Sequence, residues 1–120
     1  MDVQLQLELN EEEEKGFRDL ILLCNKEDET DYDTGLDYDF FYSIRNEEKK
    51  DSGIKEDYLA ILMGYKLGEQ DKGRDILLCT AFVHPYMRGQ GLFSGCTDAL
   101  YDDFRGWKIR FLRKGKEDSY

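Results

Sequence analysis

The chain has 120 residues, 40% of them hydrophobic and 37% charged, which predicts a single soluble domain with a modest core. Acids outnumber Lys and Arg by 27 to 17, and the net charge of −10 excludes a general nucleic-acid binder, which needs a basic surface to displace counterions. No apolar run approaches the roughly 18 residues of a membrane span, and Cys24, Cys79 and Cys96, widely spaced beside a single histidine, predict reduced thiols in a cytoplasmic protein and no zinc site.

Val3, Leu5, Leu7 and Leu9 alternate with Gln4, Gln6 and Glu8, so the chain is expected to open on a strand with one buried face. Asn10 followed by Glu13 is a capping-box signature, and Glu11 to Glu14 place negative charge where it complements a helix dipole. Phe17, Leu20, Ile21 and Cys24 supply that helix with an apolar stripe. Residues 25–39 are acidic, contain Gly35 and read as loop with at most a short helix. Phe40 to Ile44 reads as a strand, and 47–53 as a charged turn. Tyr58 to Leu67 is long enough for a short helix, but its place between turn signals favours a strand, closed by a turn over 68–74. Ile76 to Val83 is almost continuously apolar, which predicts a central strand covered on both faces and stopped by Pro85. From Gly91 the period becomes helical through Leu92 or Phe93, Cys96, Leu100 and Phe104, with Gly106 as the stop. Trp107, Ile109, Phe111 and Leu112 form a last strand, and the charged tail 113–120 is expected to fray. The order strand, helix, three strands, helix, strand is α/β, with no internal repeat or linker, and leaves the final strand as an exposed edge.

Chemistry concentrates in the stretch from Val83 to Phe93, Val-His-Pro-Tyr-Met-Arg-Gly-Gln-Gly-Leu-Phe, between the buried strand and the second helix. Glycines let the backbone approach a ligand, and the free N–H groups of a helix start bind phosphate oxygens. Arg88 adds a positive charge beside them. Long-range repulsion of an anion is weaker here as well, because residues 1–60 carry a net −12 and residues 61–120 a net +2. A nucleotide P-loop does not fit, since no lysine follows the glycines. The dinucleotide fingerprint fails too: its third glycine would fall at Ser94, and five residues separate Val83 from Gly89.

The same stretch resembles the coenzyme A-binding motif of the GCN5-related N-acetyltransferase superfamily, Arg or Gln, two residues, Gly, one residue, Gly or Ala, after a Val-x-Pro strand end. Val83, His84 and Pro85 match the approach and Arg88, Gly89, Gln90, Gly91 and Leu92 the turn, while Phe93 stands where a small residue is usual. The resemblance implies a mixed, mainly antiparallel sheet flanked by helices, without the family's usual C-terminal helix and strands. It implies acetyl-CoA as acyl donor, with backbone near Phe82 and Val83 pairing with the pantetheine arm and the amides of 88–93 cradling the pyrophosphate. In that family the central strand splays from the following one, and the arm lies between them.

Acetyl transfer to an amine needs a neutral nucleophile, a polarised carbonyl and a proton for the departing thiolate. Where the family often has a basic carboxylate this chain has Cys79, expected to be a core thiol; Asp75 is the nearest carboxylate, with Glu69 in the preceding turn. His84 alone titrates ordinarily near neutrality, though its place suggests a surface role. Tyr120 is the only tyrosine beyond Trp107 and so the one candidate for the family's thiolate-protonating phenol. Tyr32, Tyr38, Phe40, Phe41 and Tyr42 mix with Asp31, Asp33, Asp37 and Asp39 in the region that borders the family's acceptor site; core packing and a solvated loop account for most of it, and the acids would favour a cationic amine. The expected partner is a small-molecule or peptide amine, with no nucleic acid and no membrane, and with a second copy or another chain completing the sheet. A non-catalytic interaction domain on the same scaffold is the alternative.

Overall fold

The computed structural model describes residues 2–49, 53–71 and 74–112, the side chains at 69–71 and 74 excepted. In chain order these form β1 (Gln4–Gln6), α1 (Glu11–Asp28), β2 (Phe40–Arg45), β3 (Tyr58–Asp71), β4 (Arg74–Val83), a 3-10 turn at Pro85–Met87, α2 (Leu92–Asp103) and β5 (Lys108–Phe111). The strands make one sheet in the order β1-β2-β3-β4-β5. Its first three junctions are antiparallel, and β4 and β5 are parallel, joined by α2 as the crossover.

One helix covers each face. Phe17, Leu20, Ile21 and Cys24 of α1 pack on Phe41, Ile61, Met63 and Phe82, while Leu92, Cys96 and Leu100 of α2 pack on Tyr42, Ile44, Leu62 and Leu77. The two-residue period of the strands sends successive side chains into these two cores. Each fully buried Leu or Phe contributes roughly 1.5–3 kcal/mol relative to exposure. The capping box is formed as expected: the Asn10 side chain accepts from the Glu13 N–H and the Glu13 side chain accepts from the Asn10 N–H. The bond from the Asn10 N–H, with a second from the Gln6 side chain, holds the Glu13 carboxyl below its ordinary range. The central place of β4, between β3 and β5, is also as expected.

Several boundaries differ from the sequence reading. The opening strand has only three paired residues, and Leu5 and Leu7 are 45% and 68% exposed instead of buried. As an edge strand paired only with β2 it runs out from under α2, which covers Val3 but not the leucines that follow. The first helix continues past Cys24 to Asp28 and ends on Glu29 in the left-handed conformation, so the irregular segment is shorter than expected. The expected turn over 68–74 is instead mostly hairpin, with β3 running to Asp71 and β4 starting at Arg74. Two register shifts absorb the irregular residues, and Gly68, with φ of 78°, sits in the first, where its positive φ costs little. The tail 113–120 lies outside the described residues.

Candidate functional site

The site is built on a difference between the two edges of β4. Toward β3 the strand is paired along its whole length, from Arg74 opposite Asp71 to Val83 opposite Ala60. Toward β5, among the described residues, it is paired from Ile76 to Cys79, and the last of these bonds is the Leu112 N–H to the Cys79 carbonyl at 2.8 Å. Backbone groups of alternate residues point to opposite edges of a strand. Since Cys79 bonds toward β5 and His84 donates to Leu59 on the β3 side, Ala81 and Val83 direct their backbone groups to the open edge. Phe82 directs its own toward β3 and packs its ring against Tyr32, with centroids 5.3 Å apart. Of the two positions expected near the arm, Val83 directs its backbone to this edge and Phe82 does not, while Ala81 does.

The turn after β4 opens into the same space. Gly89 and Gly91 have φ of 81° and 83°, a region that side chains strain to enter, and a Cβ at either would meet nothing within 4 Å. Gly91 caps α2 without a side-chain bond, and the first intrahelical bond is the Gly95 N–H to the Gly91 carbonyl. The amides of Leu92, Phe93 and Ser94 thus lack intrahelical acceptors and carry the positive end of the helix dipole. A groove of about 670 Å³ runs along this turn, lined by Ala81, Phe82, Val83, Gly91, Phe93 and Ser94 among others. It shares Tyr32, Ala81 and Phe93 with a wider opening of about 1050 Å³ between β4 and β5, lined also by Thr97, Tyr101 and Phe111. Of the residues expected to bind the cofactor, Phe82, Val83, Arg88, Gly89, Gly91, Leu92 and Phe93 line the first groove, and Gln90 stands exposed in the turn.

Arg88 does not stand free beside the amides. Its Nη1 and Nη2 donate to the two Asp28 carboxylate oxygens, both at 2.8 Å, and its Nε donates to the Val83 carbonyl at 3.2 Å. The guanidinium also reaches Cys24 Sγ at 3.7 Å, and that thiol donates to the same carbonyl at 3.4 Å. The expected free positive charge is therefore a clasp between the end of α1 and the turn.

His84 corrects another expectation, for it is 1% exposed and not at the surface. Its Nδ1 accepts from the Tyr86 N–H at 3.2 Å, which leaves Nε2–H to donate to Glu56 at 2.7 Å. With both ring nitrogens engaged it caps the 3-10 turn and offers neither to the groove. Asp75 sits opposite Glu69 near the start of β4, at the end remote from the turn, and is not brought to the site. Tyr120 lies outside the described residues. Phe93 is neither in the core nor over the glycines: it is 45% exposed and faces Phe111 with centroids 5.7 Å apart, so the two rings flank the mouth between α2 and β5.

The cysteines are core thiols, as expected. Burial pushes Cys79 up to about 12 and Cys24 and Cys96 each to about 11, so near neutrality none is the thiolate that nucleophilic chemistry requires. Among the described residues no group of His, Cys, Asp and Glu could hold a metal ion, and no helix is long and apolar enough to cross a membrane. The sequence reading missed Asp28 and Ala81. Asp28 carried a signal: a carboxylate in the last turn of a helix opposes the dipole and calls for a cation nearby.

Comparison with protein-family models and with curated proteins finds no match. Solved structures do match. A ribosomal-protein-alanine N-acetyltransferase from Brucella melitensis superposes with a TM-score of 0.62 at 17% identity, covering 96% of this chain and 82% of its own. A possible acetyltransferase from Clostridium difficile gives 0.61 at 9% identity, covering 95% and 81%. An aminoglycoside acetyltransferase from an uncultured soil metagenomic sample, solved with sisomicin, gives 0.58 at 13% identity, covering 95% and 78%. At these identities the likeness is one of architecture, and the chain has the fold of the GCN5-related N-acetyltransferases.

Proposed function

We propose that this chain binds acetyl-CoA in the groove between β4 and β5 and transfers the acetyl group to an amine by direct attack. The observation that carries the reading is the edge of β4 beyond Cys79, which has no strand partner on the β5 side among the described residues, beside a helix start whose first three amides lack intrahelical acceptors. The residues present fit the cofactor. Ala81 through its N–H and carbonyl and Val83 through its N–H would bond the amide-bearing arm, the Val83 carbonyl being held by Arg88 and Cys24, and Leu92, Phe93 and Ser94 would bond the phosphates through backbone N–H groups. Acetyl-CoA would supply the activated thioester. Phe93, Phe111 and Tyr32 would screen the reacting end from water.

No covalent enzyme intermediate is needed. Cys79, in the place where the resemblance expects a basic carboxylate, stays protonated, and His84 is fully engaged. The amine must then arrive neutral or lose its proton to water, so the rate should climb with pH along the titration of the acceptor itself. Asp31, Asp33, Asp37 and Asp39 flank the groove residue Tyr32 in sequence and favour a cationic amine, small or peptidic.

Calorimetric titration of acetyl-CoA and CoA, followed by an amine panel, tests the reading. Saturable binding of both ligands is expected, weakened at least tenfold in Gly91→Val, whose side chain strains the turn at φ of 83°. A folded chain that binds neither ligand would overturn it. The buried thiol at 79 favours a second reading, a non-catalytic domain that keeps the cofactor groove; binding without acetylation of any amine in the panel would select it.

A further inference from the structure

The proposed phosphate site contains an acid. Asp28 lines the groove together with Arg88, Gly89 and Gly91, at the C-terminal, negative end of α1. Left alone there, a carboxylate would repel a pyrophosphate. It is not alone, because both of its oxygens accept from Arg88 at 2.8 Å in the bidentate geometry that guanidinium and carboxylate favour. The Arg88 bonds hold the Asp28 carboxyl below its ordinary range, so the pair stays charged near neutrality.

We infer that Asp28 is a specificity-determining residue which sets the charge of the anion site by withholding Arg88 from it. Resting on the acetyl-CoA reading above, this makes the site of the clasped turn one of neutral amides, with Arg88, the one cation that lines this groove among the described residues, already engaged by a carboxylate. Affinity for a ligand then depends on how its phosphates fit the amides of Leu92, Phe93 and Ser94 and only weakly on how much charge it carries. The second function of the clasp is positional: Nε of Arg88 bonds the Val83 carbonyl at 3.2 Å and so ties the turn to the end of β4. Arg88 and Asp28 therefore act in opposite directions on ligand affinity, although they form one ion pair. Loss of Arg88 loosens the turn, and loss of the Asp28 charge frees a cation into the groove.

The test measures the affinity of the full chain for CoA and, separately, for inorganic pyrophosphate, between low and physiological ionic strength. Wild type, Asp28→Asn, Asp28→Glu and Arg88→Gln are compared, each checked for folding by its thermal transition. Asp28→Asn should bind both probes roughly fivefold to tenfold more tightly at low salt, because one charge is removed and another released. The gain should shrink as salt rises. Arg88→Gln should bind more weakly, most of all at low salt, because it leaves the Asp28 carboxylate unpaired beside the phosphates, and Asp28→Glu should behave as wild type. If Asp28→Asn binds pyrophosphate no more tightly than wild type, or with an unchanged salt dependence, the inference is wrong and Asp28 is merely structural. If the variants follow the expected pattern for pyrophosphate while CoA binds to none of them, the acetyl-CoA reading falls and the role of Asp28 stands.

Discussion

The two halves of β4 share one strand and have opposite fates. From Ile76 to Cys79 the backbone is paired on both edges, and the side chains of Leu77 and Cys79 are fully buried in the core beneath α2. From Thr80 to Val83 the strand keeps β3 but, among the described residues, has no partner on the β5 edge. The closed half stabilises the domain. The open half leaves backbone donors and acceptors that a ligand can satisfy, and the glycine turn and the start of α2 follow it directly. Among the described residues, the last β4–β5 bond at Cys79 divides the paired scaffold from the proposed site.

Substitutions in the two halves should separate accordingly. The largest expected effect is at Leu77, which is 0% exposed in the α2-side core; Leu77→Ala should cost about 2–5 kcal/mol in denaturant unfolding. It should leave the CoA affinity of the folded molecules near that of wild type. A loss of affinity as large as that of Gly91→Val in fully folded Leu77→Ala would mean that the halves are not separable.

A smaller effect belongs to the clasp beside the open half. The unfolded chain binds a proton at Asp28 more tightly than the folded one, because the Arg88 bonds depress its pKa only in the fold. Stability from the pair is therefore complete above the ordinary carboxylate range of about 4 and is lost as the pH falls through the folded value. Thermal transitions between pH 6 and pH 3 should fall less steeply in Asp28→Asn than in wild type. Equal slopes would show that the clasp contributes nothing to acid stability.

The smallest effect is expected at Ser43 on β2, whose hydroxyl is buried and has no hydrogen-bond partner among the described residues. Removing an unsatisfied hydroxyl relieves a desolvation cost, so Ser43→Ala should leave stability unchanged or raise it by up to ~1 kcal/mol. Destabilisation beyond that would show that the hydroxyl is bonded.

What could be read before the fold was known follows the range of the interactions. The capping box at Asn10 and Glu13, the apolar stripe of α1, the burial of β4 and the strand–turn–helix around Gly91 are local patterns, and the folded chain has all of them. Leu5 and Leu7 show the limit of periodicity: alternation predicts a strand, yet burial needs a covering helix, and α2 does not extend over them. The site depended on distant pairs. Asp28 and Arg88 are 60 residues apart and His84 and Glu56 are 28 apart, so neither the clasp nor the buried imidazole could be read from the motif itself. The exchange of Phe82 for Ala81 at the open edge follows from strand parity, which is set by the pairing of Cys79 with Leu112 across the crossover.

The most direct test of the account is an amide-resolved NMR titration of the chain with CoA. The account predicts saturable shifts at Ala81, Val83, Leu92, Phe93 and Ser94, with little change from Ile76 to Cys79. Shifts centred on the closed half, or none at the turn in a well-folded sample, would contradict it.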